Sequence, residues 1–205
     1  MAVPGRSSFG TMAYPASLVV DTPERVANWR PLLQWLLALP HWIIVNVLGY
    51  VSTAISFISW FAILFTGRLP AGLANFQIMY LRYSARLMAY AGFLHSSYPP
   101  FAFDMTADDP GGTPVSMNVQ PQLDGRNRLT TLIRLIMAIP AIVFAVIVGI
   151  ISFVVHLLGF FAVLFTGRWP AGLRGFIVSV MGVDLRLNAY MGLLTDEYPP
   201  FSLDA

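Results

Sequence analysis

The chain is written twice, 100 residues apart. Leu64-Phe65-Thr66-Gly67-Arg68 recurs as Leu164-Phe165-Thr166-Gly167-Arg168. Pro70-Ala71-Gly72-Leu73 recurs as Pro170-Ala171-Gly172-Leu173, and Tyr98-Pro99-Pro100-Phe101 as Tyr198-Pro199-Pro200-Phe201. The offset is constant, without a gap from Pro40 to Asp104. Two similar units must share one architecture. Each is built around a long apolar stretch, so the pattern describes a duplicated membrane protein.

Composition points the same way. Of 205 residues, 57% are hydrophobic and 11% charged. A soluble domain carries about 25% charged residues, so this chain lacks the polar surface for a body in water. Cys is absent, which excludes disulfides, thiolate metal sites and Cys nucleophiles. All 12 basic residues are Arg. Arg suits phosphate and carboxylate forks, but genomic base composition accounts for the bias equally well. Met1 to Val20 has no apolar core behind a basic start. No cleavable signal is expected, and the first spanning segment directs insertion.

Along the chain, residues 1–13 read as a disordered N-terminus. Ser17 to Asp21 has strand character. Thr22-Pro23-Glu24 reads as a helix start, opening an amphipathic interfacial helix that Pro31 kinks and that carries Trp29 and Trp35. Pro40 breaks or kinks the chain again. His41–Phe65 and Ala141–Phe165 hold no formal charge except titratable His. Each stretch of about 25 residues makes roughly 37 Å of helix, enough to cross a hydrocarbon core of about 30 Å. Thr66 to Gly72 is a turn. Leu73–Leu94 and Leu173–Leu194 are long enough to span, yet they contain Arg and Asp, which cost about 2.5–3.5 kcal/mol each at a membrane centre.

Phe101–Asp104 and Val115–Val119 read as a hairpin around Asp108-Asp109-Pro110-Gly111-Gly112. With Ser17–Asp21 and Phe201–Asp204 they would make a four-stranded antiparallel sheet. That requires an even number of crossings per repeat. The expected fold is therefore an all-α integral membrane protein with two tandem repeats, 14–105 and 113–205, joined by a linker loop at 106–112. It has four transmembrane helices, interfacial helices and a small sheet made by the repeat ends. One deep and one interfacial helix per repeat is the rival. Arg6, Arg25, Arg30, Arg126, Arg128 and Arg134 fall on the sheet side, against Arg68, Arg168 and Arg174 on the other. The richer side, with both termini, is expected in the cytoplasm of a multi-pass inner-membrane protein.

Candidate sites are few. Arg68 and Arg168 either bind lipid phosphates beside Gly amides or sit at a Gly-closed helix end and snorkel to water. Arg86 and Arg186 share a helix face with Tyr90 and Tyr190, four residues on, and Arg82 joins Arg86. With Asp184 they suggest a ligand or ion path, or an Arg82/Arg86–Asp184 pair that assembles the bundle. Asp104 and Asp204 read as strand-closing residues. His41, His95 and His156 lack repeat counterparts and metal spacing. Trp42, Trp60 and Trp169 read as interfacial anchors. Ala145 and Gly149 are small residues four apart. No phosphate loop, nucleophile elbow or zincin motif occurs.

Phe61 to Leu73, the Arg-Leu-X-Ala-Tyr of 86–90 and Tyr98-Pro99-Pro100-Phe101, each matched in the second copy, resemble a bacterial membrane family known only as a domain of unknown function. The resemblance covers the chain from about residue 14 and implies small, membrane-embedded helical units. It brings no activity, cofactor or catalytic residue. The expected role is a non-enzymatic scaffold, accessory or lipid-organising protein. Membrane lipids, other membrane proteins or a second copy are the expected partners; no cofactor, metal or nucleic acid is. A small transporter or channel with a site at the repeat interface is the alternative.

Overall fold

The computed structural model describes residues 14–203; residues 1–13, expected to be disordered, and Asp204 lie outside the described residues. It contains strand β1 (Ala16–Val20), helices α1 (Arg30–Leu37), α2 (Leu39–Thr66) and α3 (Ala71–Ala91), strand β2 (Val115–Val119), and helices α4 (Arg128–Thr166) and α5 (Ala171–Met191).

Local chemistry sets the helix ends. Pro31 occupies the first turn of α1 and Pro40 the first turn of α2, with the break at Ala38 between them. Proline fits there because its missing N–H has no helical acceptor. Pro140 instead lies inside the continuous α4. Gly67 and Gly167 close α2 and α4 in the left-handed conformation, with φ of 72° and 66°. Thr66 Oγ donates to the Ala62 carbonyl at 2.6 Å and accepts from the Arg68 N–H at 3.1 Å, and Thr166 does the same one repeat on. The Thr-Gly pair is thus a helix stop.

The helix expected from Thr22 does not form; helix begins only at Arg30. The Val26 N–H bonds the Gly167 carbonyl at 2.9 Å, and Asn28 bonds the Leu164 carbonyl. This segment is a strap across the far end of α4. The expected hairpin is also absent. Residues 101–104 and 201–203 form no strand, and the sheet has two strands, β1 antiparallel to β2. Ser17 pairs with Asn118 and Leu18 with Met117. Shifting every residue by one repeat maps this ladder onto itself, so the pseudo-twofold axis passes through the sheet.

The repeats interlock. β1 rests on α5 and β2 on α3, so each strand covers the other repeat's second helix. Beneath the sheet α3 and α5 touch, and α2 and α4 pack on them and on each other. The turn after α2 abuts the chain leaving β2, through Leu69 N–H to the Leu123 carbonyl at 2.7 Å. The turn after α4 abuts the chain leaving β1, through Val26. The expected separation of Arg68 and Arg168 from Arg126 and Arg25 across a membrane therefore fails: these groups meet.

The long helices are inside out. On α2 the buried residues are His41, Ser52, Ser59 and Ile63, while Ile43, Val47, Phe57, Ile58 and Phe65 are exposed. On α4, Thr131 and Arg134 are buried along with the smaller Ala138, Ala141, Val148, Gly159 and Val163, and Leu135, Ile136, Ile150, Phe153 and Phe165 are exposed. Helix α1 buries Gln34 and exposes Leu32, Leu36 and Trp35. Among the described residues, α2 and α4 are the two helices long and apolar enough to cross a membrane. The expected second crossing of each repeat is α3 or α5, and these carry the packed core and its arginines instead.

Three substitutions test this frame. Gly67→Ala and Gly167→Ala both pay the left-handed penalty of about 1–2 kcal/mol. A methyl at 167 also lands 2.9 Å from Asn28 Oδ1 and 3.1 Å from the Val26 carbonyl, whereas at 67 the nearest atom is 3.5 Å away. Gly167→Ala is expected to lower the thermal midpoint in detergent more than Gly67→Ala. Met117→Ala, at the sheet–α3 contact, is expected to cost about 2–5 kcal/mol.

Candidate functional site

Buried arginines organise the layer of loops. Arg82 and Arg86 point from α3 into the linker. The Arg82 guanidinium donates to the carbonyls of Asp104, Thr106 and Asp108 at 3.0–3.3 Å. Arg86 pairs with Asp109 at 2.9 Å, and Arg82 lies 3.8 Å from the same carboxylate. Asp109 also accepts from the N–H groups of Gly111 and Met117. One carboxylate thus ties α3, the linker and β2 together. Asp109 is accordingly a structural hub, although the sequence marks it as a solvated turn.

The second repeat builds a different cluster. Arg126 and Arg134 converge on Asp196 at 2.7 and 2.5 Å. Arg134 also donates to the Tyr190 and Thr195 carbonyls. Its first-repeat counterpart, Gln34, donates to the carbonyls of Tyr90 and His95, the equivalent pair. These carbonyls flank helix ends whose left-handed residue is Phe93 or Leu193 rather than glycine. Gln34 and Arg134 hold those ends closed. Comparison of the repeats carries the signal for this cluster: Val26, Gln34 and Ser96 become Arg126, Arg134 and Asp196 together.

The remaining candidates disperse. Asp184 does not meet Arg82 or Arg86; it accepts from Asn188 of its own helix. The reason is direction: Arg82 and Arg86 face the sheet side, while Asp184 lines recesses on the opposite face of α3 and α5. Arg186 donates to the Ser202 carbonyl at 2.7 Å. Tyr90 and Tyr190 are buried and meet Tyr98 and Tyr198 edge-on. Arg68 pairs with Asp124 at 2.9 Å, both well exposed, and Arg168 is exposed at the equivalent corner. Asp104 contributes its carbonyl rather than a strand end. Trp60 bonds the Thr131 carbonyl, and Trp169 is buried against Gly159 with its N–H on the Phe93 carbonyl. These two tryptophans serve packing rather than interfacial anchoring, whereas Trp42 is exposed. Ala145 and Gly149 line a recess rather than a helix contact.

Two recesses open on the face away from the sheet. The larger, about 520 Å³, lies between α2 and the α4–α5 pair, with Ser52, Ser56, Gln77 and Asn188 among its walls. The smaller, about 280 Å³, holds Ser152, His156, Ile177 and Asp184. They are repeat equivalents, since 52 matches 152, 56 matches 156 and 77 matches 177. Ser152, His156 and Asp184 share the smaller recess, but no hydrogen bond joins them among the described residues.

The two carboxylate hubs make stability depend on pH. Burial alone pushes the Asp109 carboxyl up, but the N–H donors of Met117 and Gly111, with Arg86 and Arg82, outweigh it and hold it below the usual range. Burial is likewise outweighed at Asp196 by Arg126, the Asn127 N–H and Arg134. A depressed folded value adds stability above the unfolded value of about 3.9, which is lost as pH falls through the folded value. The thermal midpoint is therefore expected to fall as pH drops below about 4. Asp196→Asn leaves two buried guanidinium groups without a carboxylate, and is expected to cost about 3–5 kcal/mol in detergent unfolding.

The comparisons agree with this two-part plan. No curated protein and no solved structure matches the chain. One family matches twice, over residues 28–102 and 128–202, again 100 residues apart. Both matches cover a helical unit with its closing loop and leave the swapped strands outside. The chain belongs to the family described as Domain of unknown function (DUF4389), of which it carries two tandem copies.

Proposed function

We propose that this protein is a non-enzymatic membrane protein that lies within one leaflet and organises lipids or serves as an accessory scaffold there. The observation that carries the reading is the outward face of α1, α2 and α4, which turn bulky apolar groups to the surface while their inward faces hold polar groups and mostly smaller residues. An apolar face that long is not left in water. The sheet and loops lie on the other side of α3 and α5.

This arrangement favours helices lying along the membrane over helices crossing it. If α2 and α4 crossed, their end turns would sit on opposite membrane faces. The strands and the straps that join those turns would then run through hydrocarbon with open edges, where their peptide groups find no partner. With the pseudo-twofold axis along the membrane normal, every turn stays in the headgroup layer. Arg25, Arg68, Arg128 and Arg168 are exposed at the corners, within reach of lipid phosphates. The transporter reading fares worse, because Arg82 and Arg86 turn to linker carbonyls and Asp109 rather than to a path.

The chain has no Cys, so single cysteines report without background. Cys placed at Arg68, Asp108, Arg168 and Glu197 is expected to react with an impermeant thiol reagent from one and the same side of sealed vesicles. Labelling of Arg68→Cys from the side opposite Asp108→Cys would defeat the in-plane reading. Arg68→Gln and Arg168→Gln are each expected to weaken partition onto anionic vesicles about fivefold at low salt, measured by flotation.

A further inference from the structure

We infer that the larger recess is a slot for one acyl chain of a bilayer phospholipid, a proposal that rests on the membrane placement above. Its walls come from both repeats: Ser52, Ser56, Phe57 and Trp60 from α2, Leu135 and Arg134 from α4 and Asn188 from α5, with the Arg134 guanidinium already taken up by the Tyr190 and Thr195 carbonyls and Asp196. Phe57 and Leu135 are 64% and 70% exposed. They stand on the apolar face, so whatever enters the slot comes from the hydrocarbon layer.

Size and chemistry select among the occupants of that layer. The recess has a volume of about 520 Å³. It is within the range of ligand pockets, about 300–1,000 Å³, and suits a slender flexible chain. Its inner wall is polar but uncharged on the α2–α3 side. Gln77 donates to the Ser52 carbonyl and to Ser56 Oγ at 2.8 Å each, and accepts from Ser52 Oγ at 2.5 Å. Ser56 receives a hydrogen bond there, which leaves its own proton for an acceptor such as an ester carbonyl.

The repeat-equivalent recess provides an internal contrast. There His156 replaces Ser56, Ile177 replaces Gln77, and the Asp184 carboxylate lines the wall. A carboxyl group in contact with an alkyl chain loses its water without gaining a partner, and the volume is about half. The slot in the first repeat is the one shaped for a tail. A chain seated there also bridges α2 to α4 and α5 beside the Trp60–Thr131 hydrogen bond, so binding fastens the seam between the repeats.

The test is native mass spectrometry of the delipidated full chain titrated with dioleoyl phosphatidylcholine in detergent. One retained lipid per chain is expected. Ser56→Phe, which fills the slot, should lower retention at least tenfold, while Ser152→Phe in the smaller recess should leave it unchanged. Leu135→Trp, at the exposed mouth, is a second block should Ser56→Phe disturb folding. Absence of a specific adduct on the parent chain, equal loss from Ser56→Phe and Ser152→Phe, or full retention by Leu135→Trp would overturn the proposal. Carbonate-resistant membrane association of the same variants reads the placement separately. Its loss in the parent chain refutes membrane embedding, whereas its persistence without an adduct refutes the slot alone.

Discussion

A buried peptide group without a partner is costly, and that constraint sorts the described residues into two faces. Helices α2 and α4 satisfy their own backbones and turn large apolar side chains outward. Everything that is not helix gathers on the other face: the strands, the straps after them, the linker and the two closing loops. The irregular chain there has many carbonyls and few partners of its own. Five buried arginines and Gln34 supply donors in fixed positions, so the loops are pinned to the helices by side chains rather than by a large sheet. Bringing two guanidinium groups to one carboxylate leaves a surplus positive charge in each cluster. That surplus is tolerable because backbone carbonyls share it.

Much of this was readable from residue order. The apolar runs give α2 within two residues and the end of α4 within one, because period and length leave no other assignment, but α4 starts 13 residues ahead of its apolar run because Pro140 does not break it. Val115 to Val119 alternates cleanly and is β2 at those bounds. Thr-Gly marks the helix stop because only glycine takes the left-handed angle freely. What stayed hidden is pairing. Short strands carry no information about which neighbour they choose, so the hairpin of residues 101–104 with 115–119 was plausible and absent. Helical spacing places Arg82 and Arg86 on one face but is silent on which loop folds back to meet them. Asp109 therefore looked idle, and Asp184 looked like the partner. Thr22-Pro23 has the chemistry of a helix start, yet the next residues are held as a strap by α4.

The differences between the repeats are as informative as their likeness. Position 59 is Ser and position 69 is Leu, whereas 159 is Gly and 169 is Trp. The indole of Trp169 packs where any side chain at 159 would stand. The large ring at 169 depends on the missing side chain at 159. Val26, Gln34 and Ser96 stand against Arg126, Arg134 and Asp196 in the same way. Each exchange conserves a filled volume or a set of hydrogen bonds while changing its chemistry. The two recesses differ likewise, one roomier with the paired Arg134 in its wall, the other smaller with the Asp184 carboxylate.

The crossed strands have a consequence for biosynthesis. β1 lies early in the sequence and its platform, α5, late, with about 170 residues from the end of β1 to the end of α5. At roughly 5–20 residues per second a ribosome needs on the order of 10–35 s to span that distance. The earliest strand has no ladder until β2 emerges and no floor until α5 does. Maturation of the first half is thus gated by completion of the second, and a truncated translation product would be left with an open edge for proteases and chaperones to recognise.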